Sequence, residues 1–306
     1  MNKRERWFNE GAPLLRQVME RIGIADRLPS DDPYYACPCC LYAFPLEAVA
    51  AQNLTIEHVP PEALDGKGML LTCKRCNNDA GRDFDSHAQL RAEFYNMLAG
   101  KGTKRPLRAV FEAGDTRVNG VAQSTGNGWF LEGVPKQNHP AMLDAHESEL
   151  RAASESGETA GIKFTVKARF SSKHADVSWV RSAYLAAFSA LGWSYILQPA
   201  LNPIREQIKP GSPATLPSII GFNPSHDADL RQIMIVEKPE KLSSVVVRIG
   251  HYTVFLPHPW GTRTLDQLAA SISGLWDEAG KVPFSLNGKI VPWPTRPMYA
   301  LDTLTP

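Results

Sequence analysis

Apolar residues recur at helical spacing near the start of the chain, where Trp7, Phe8, Leu14, Leu15, Val18, Met19 and Ile22 fall on one side. The pattern predicts an amphipathic helix over residues 3–23 that packs on the body of the protein. Short runs of β-branched and aromatic residues between Gly/Asn turns predict strands at 107–112, 116–122, 128–134 and 161–170. Similar runs follow at 232–236, 244–249 and 252–256, and residues 139–153 carry a helical pattern. Residues 177–197 are unlike the rest. WVRSAYLAAFSALGWSYIL has almost no polar side, which predicts a helix buried all round, at the core of a second domain. The Pro- and Trp-rich tail predicts irregular structure. Helices and strands mixed in this order predict an α+β fold.

Composition narrows the class without naming a function. The 306 residues form a prior for two domains, and 43% of them are apolar. Lys and Arg number 33 against 32 Asp and Glu, which excludes a histone-like polybasic chain and an acidic, disordered one. No run approaches the ~18 apolar residues of a membrane span. The basic N-terminus lacks the apolar stretch of a secretory signal, so a cytoplasmic protein with no membrane partner is expected.

The five cysteines change the picture, because all lie between Cys37 and Cys76. An odd number in a cytoplasmic chain argues against a disulfide framework. Cys37-Pro-Cys-Cys40 and Cys73-Lys-Arg-Cys76 are two C-x-x-C knuckles, the spacing of a closed tetrahedral zinc site. Cys37, Cys40, Cys73 and Cys76 are the expected ligands, and Cys39 is read as a bystander. The knuckles stand 32 residues apart, more than the ~15–20 of a plain zinc ribbon. The insert carries Leu54-Thr-Ile-Glu57-His58-Val-Pro-Pro and then Met69-Leu-Leu-Thr. Both read as strands, and Asn77-Asn78 opens a helical pattern that runs to Leu98.

Glu57-His58-Val-Pro-Pro, the C-x-x-C-Asn-Asn run and the later His87 together resemble the HNH endonucleases of the ββα-metal, or His-Me finger, superfamily. The resemblance covers residues 34–98. It implies a zinc-stapled ββα-metal module that hydrolyses phosphodiester bonds in double-stranded DNA and leaves 5′-phosphate and 3′-hydroxyl ends. It also implies roles. His58 is the general base, and Glu57, Asn77 and His87 hold a catalytic Mg²⁺ or Mn²⁺. An imidazole suits the first task and hard oxygen donors suit the second. Successive strand residues point to opposite faces, so Glu57 and His58 converge only if the strand kinks near Pro60. His87 reaches the ion of Asn77 only if Gly81 breaks the helix. Asp83 and Asp85 are spare carboxylates. Where many family members have an orienting Asn, this chain has Gly68.

Between Lys67 and Arg108, nine basic residues face four acids. Lys74, Arg75, Arg82, Lys104 and Arg105 are the expected phosphate contacts. The chain then divides into an N-terminal helix (1–33), the nuclease module (34–98), a Gly/Pro linker (99–106) and an α+β domain (107–306). The last carries no chemical motif and is expected to recognise DNA or a regulatory protein, as in restriction and phage-defence nucleases. The competing expectation is a non-catalytic zinc-knuckle module that binds nucleic acid or protein.

Overall fold

In a computed structural model the described residues are 1–157, 161–209, 211–275 and 285–303. The first helix, α1 (Lys3–Arg21), starts at a capping box. Asn2 accepts from the Arg4 and Glu5 N–H groups, and the Glu5 carboxylate accepts from the Asn2 N–H. Its buried face includes Trp7, Phe8, Leu15 and Val18. Gly11 is on that face for a steric reason: a Cβ there would lie 2.5 Å from the Tyr299 hydroxyl and 2.8 Å from the Tyr35 ring.

A small finger follows. Strands β1 (Tyr35–Ala36) and β2 (Ala43–Phe44) pair around the first knuckle, and the one-turn helix α2 (Glu47–Ala50) leads to β3 (Leu54–Val59). Strand β3 pairs antiparallel with β4 (Lys67–Cys73). Helix α3 (Lys74–Ala80), a π-helical turn (Gly81–Asp85) and α4 (Ser86–Leu98) then run on without a break. The order strand, strand, helix is as the pattern predicts. Gly81 keeps helical dihedrals, so the helix does not break there.

The chain divides into two compact units, and the division differs from the one expected. Residues His87–Ser172 form one unit by themselves. It contains the four-stranded antiparallel sheet of β5 (Leu107–Ala113), β6 (Thr116–Ser124), β7 (Trp129–Gly133) and β8 (Lys163–Val166), in the order β7-β6-β5-β8. Helix α5 (Pro140–Ser156) packs on β5 and β6. Met97, Leu107, Ala109, Phe111 and Ala122 make its core.

The other unit joins Met1–Ser86 to the chain from Lys173 onward. At its centre is α6 (Ser172–Leu191), buried at every position from Val177 to Leu191. Gly192, at φ 97°, ends it, and α7 (Trp193–Ile196) begins with its first amides capped by the Asp302 carboxylate, 2.6 Å from Trp193 N. Helix α8 (Asn202–Ile208) leads to a five-stranded antiparallel sheet. Its strands are β9 (Ile220–Phe222), β10 (Arg231–Lys238), β11 (Ser244–Ile249), β12 (Tyr252–Pro257) and β13 (Asn287–Val291), in the order β13-β10-β11-β12-β9. Helix α9 (Leu265–Ser273) packs on β12. The tail expected to be irregular thus supplies an edge strand.

One apolar core runs through this unit, from Trp7 and Leu15 through Leu54 and Leu71 to Phe188, Val246 and Leu256. The division into these two units does not follow the expected boundaries at 33, 98 and 107. A helix that is apolar all round cannot be covered from one side, so α6 takes α1, the finger and the sheet as its wrapping. The 87–172 unit is an insertion into that body. Its flanks are neighbours, since the Phe84 and His174 rings lie 6.0 Å apart.

Replacing residues 87–172 with a short Gly-Ser linker should leave a cooperative melt and a native-like near-UV CD spectrum. A fragment starting at residue 107 should be molten, because α6 loses α1 and the finger. A sharp melt of that fragment would restore the division expected from sequence.

Candidate functional site

The two knuckles are built by different means. In the first, the Cys37 N–H donates to the Tyr42 carbonyl at 2.9 Å, the Leu41 N–H donates back to the Cys37 carbonyl at 2.7 Å, and Leu41 adopts φ 59°. In the second, Cys73 is the N-cap of α3 and its Sγ accepts from the Cys76 N–H at 3.4 Å. The Tyr184 hydroxyl of α6 donates to the Pro38 carbonyl at 2.8 Å and fixes the first knuckle to the core.

The sulfurs of Cys37, Cys40, Cys73 and Cys76 all lie within 4.8 Å of one another and could hold a metal ion such as zinc. Zn–S bonds of ~2.3 Å give tetrahedral edges of about 3.8 Å, and Cys40 Sγ to Cys73 Sγ is 3.9 Å. Cys39 is fully buried and lies outside this set.

Glu57 and His58 do not converge. Strand alternation turns Glu57 into the core and leaves Ile56 and His58 half-exposed. The pairing steps from Glu57↔Leu70 to His58↔Gly68, so Met69 is a bulge residue and the hairpin bends without bringing the two side chains together. Both Glu57 oxygens are engaged. Arg181 on α6 donates to them at 3.1 and 2.6 Å, and Thr72 Oγ1 donates at 2.8 Å. The pair is almost wholly shielded, with 2% and 4% of the two side chains exposed. Asp85 lies close enough to feel Arg181, and Ser178 Oγ donates to it at 2.6 Å. Burial raises the Asp85 carboxyl to about 6, although Arg181 and the Ser178 hydrogen bond oppose the shift.

Asn77 sits one turn into α3. Its Nδ2 donates to Thr55 Oγ1 at 3.0 Å and to the Ile56 carbonyl at 3.2 Å, which pins the helix to β3. His87 belongs to the inserted unit, where its Nδ1 accepts from the Ser171 N–H at 3.1 Å. Of the divalent-ion set expected from sequence, Glu57 is thus paired with Arg181 and Thr72, the Asn77 amide N–H group donates to β3, and His87 Nδ1 accepts within the inserted unit. Among the described residues, the four cysteines are the one cluster with three or more potential His, Cys, Asp or Glu ligands.

The expected basic face is also divided. Lys74 and Arg75 open α3, with Arg75 3.7 Å from Asp79. Arg82 pairs with Asp79 at 3.4 Å and Asp83 at 2.8 Å. Lys104 and Arg105 are on the inserted unit. Sequence reasoning missed Arg181, although a single charge inside WVRSAYLAAF is a signal that it needs a buried partner.

No protein-family model matches the chain, and neither a curated protein nor a solved structure matches it.

Breaking the buried pair from one side should be costly. Arg181→Met strands the Glu57 charge and should lower stability by about 3–5 kcal/mol. Adding Glu57→Leu should recover most of that loss. Urea melts of the single and double variants measure it, and an equally unstable double variant would show that packing, not charge, dominates.

A second prediction concerns pH. The folded Asp85 carboxyl titrates near 6, above its unfolded value of ~3.9. Its ionisation therefore costs stability. The cost is complete above about pH 6 and disappears as pH falls through 6 toward 4. Asp85→Asn should raise stability by roughly 1–3 kcal/mol at pH 7.5 and by clearly less at pH 4.5. A gain independent of pH would mean that Asp85 is not the titrating group.

Proposed function

We propose that the larger unit is a zinc-stapled ββα nuclease module of the HNH kind, with His58 as the base that acts on the phosphodiester bonds of DNA. The observation that supports it most is the position of His58. It stands on the hairpin, turned out of the core and half-exposed, opposite the glycine that the β4 bulge places beside it. In hydrolysis, His58 takes a proton from water as the water oxygen attacks phosphorus. The phosphorus–oxygen bond to the leaving group breaks, and that oxygen takes up a proton from solvent. Zinc in the four-cysteine cluster supplies folding free energy and takes no part in this step.

A specific observation favours the second reading, a binding module without catalysis. Glu57, the acid beside the histidine, is consumed by Arg181. On this reading the hairpin and knuckles hold nucleic acid and nothing is cut.

Plasmid nicking decides between them. Wild-type protein should nick supercoiled DNA with Mg²⁺ or Mn²⁺, and His58→Ala should lose ~10²–10⁴-fold while keeping its zinc and its melt. The Glu57→Leu/Arg181→Met double variant should still cut, since Glu57 acts structurally. Metal analysis should find about one zinc per chain, lost in Cys73→Ser and kept in Cys39→Ser. Binding without nicking in any divalent metal would establish the second reading. Undiminished nicking by His58→Ala would refute the first.

A further inference from the structure

A cleft of about 570 Å³ opens beside the hairpin, lined by Gly68, the residue paired with His58, and by none of the expected phosphate contacts. Its walls come from three distant parts of the larger unit. Lys3 comes from α1, Asp65, Lys67 and Gly68 from the hairpin, and Asp229, Arg231 and Trp293 from the sheet and the segment after it. The volume falls within the ~300–1,000 Å³ of ordinary ligand sites.

Three cations converge there from separate segments, and each is held differently. Lys3 Nζ donates to the Gly68 carbonyl at 3.3 Å and stands 4.5 Å over the Trp7 ring. Arg231 is half-buried, and its Nη1 donates to the Ala228 and Leu230 carbonyls at 3.1 and 2.9 Å. Lys67 is exposed at the start of β4. Asp65 and Asp229 line the same cleft and offset part of this charge, which leaves a modest cationic excess.

Gly68 links the cleft to His58. A Cβ on Gly68 would lie 3.7 Å from His58 Nε2 and 3.7 Å from Lys3 Nζ, with Ile56 Cγ2 at 2.6 Å. His58 Nε2 and Lys3 Nζ are thus both close to Gly68, which joins the histidine to the cleft wall. Trp293 adds a half-buried indole on the cleft wall, a surface on which a base can stack.

We propose that this cleft is the strand-binding subsite of the module: Lys3, Lys67 and Arg231 hold the backbone phosphates of a nucleic acid strand, and Trp293 stacks a base. The proposal rests on the nuclease reading only for what His58 then does. The subsite itself requires binding alone. Lys3, Lys67, Arg231 and Trp293 are positioning residues.

The test separates the two claims. Binding is measured in the full chain carrying His58→Ala, by fluorescence anisotropy of labelled single-stranded and duplex DNA oligonucleotides, across a salt series without added divalent metal. Lys67→Glu, at an exposed position that should not disturb folding, should weaken binding. It should also reduce the magnitude of the salt slope by about 0.7 for single strands or 0.9 for duplex per lost phosphate contact. Arg231→Gln should do the same, with a thermal melt as its folding control. Trp293→Ala should cost about tenfold on single strands with an unchanged slope. Lys74→Glu, on the knuckle face, tests the contact expected from sequence and should weaken binding less than Lys67→Glu does. Binding that falls with Lys74→Glu and not with Lys67→Glu would overturn the proposal and put the strand on the knuckles. The nicking assay judges the His58 reading separately, so failure of one claim does not resemble failure of the other.

Discussion

The Arg181–Glu57 pair is the constraint on which most of the larger unit depends. Arg181 is the one basic side chain on α6 within the run buried without interruption from Val177 to Leu191, and it cannot reach solvent. A guanidinium in that setting demands a carboxylate in good geometry, because an unpaired buried charge costs several kcal/mol. Glu57 accepts two hydrogen bonds from Arg181, and Thr72 donates a third, to Oε2. The pair therefore sets where β3 sits against α6. Asp85 and Ser178, one on the π-helical turn and one on α6, extend the polar cluster and fix the helix that leaves the second knuckle.

The metal knuckles and the apolar helix depend on each other. The finger is too small to build much of a core from its own short strands. It borrows one. Tyr35 packs edge-on against Trp193 at 5.2 Å, and Tyr184 holds the first knuckle by the Pro38 carbonyl. A metal ion in the four-cysteine cluster would close the finger at one end while α6 closes it along its length. Such a body tolerates an insertion at 87–172, because the flanks of the insertion meet on α6 and not through the inserted chain.

The two faces of β3 divide the labour. One side carries Glu57 and is spent on folding. The other carries His58 and remains half-exposed beside Gly68 and Lys3. Adjacent residues on a strand can serve unrelated purposes because they point in opposite directions. Asn77 binds α3 to β3 next to this histidine, so the hairpin is tied to the helix that leaves the second knuckle.

The sequence alone determined what local chemistry controls. C-x-x-C spacing picked out the four sulfurs that come together, since a knuckle is formed by adjacent residues. Periodicity placed α1, α5, β3, β4 and the strands β10 to β12, because each pattern spans a few turns or residues. The all-round apolar run marked α6 as a core helix. It did not say which segments would cover that helix, since burial is indifferent to sequence distance. The tertiary structure decided that the N-terminal helix and the finger do so, and that the inserted sheet belongs to a separate unit. It likewise decided that Glu57 belongs to Arg181, 124 positions away, and that Gly81 stays helical. Lys3, Gly68 and Arg231 are unremarkable residues in the sequence. Lys3 and Gly68 come close to His58, and Arg231 joins them in one cleft, only because the packing brings three remote segments to the same edge of the hairpin.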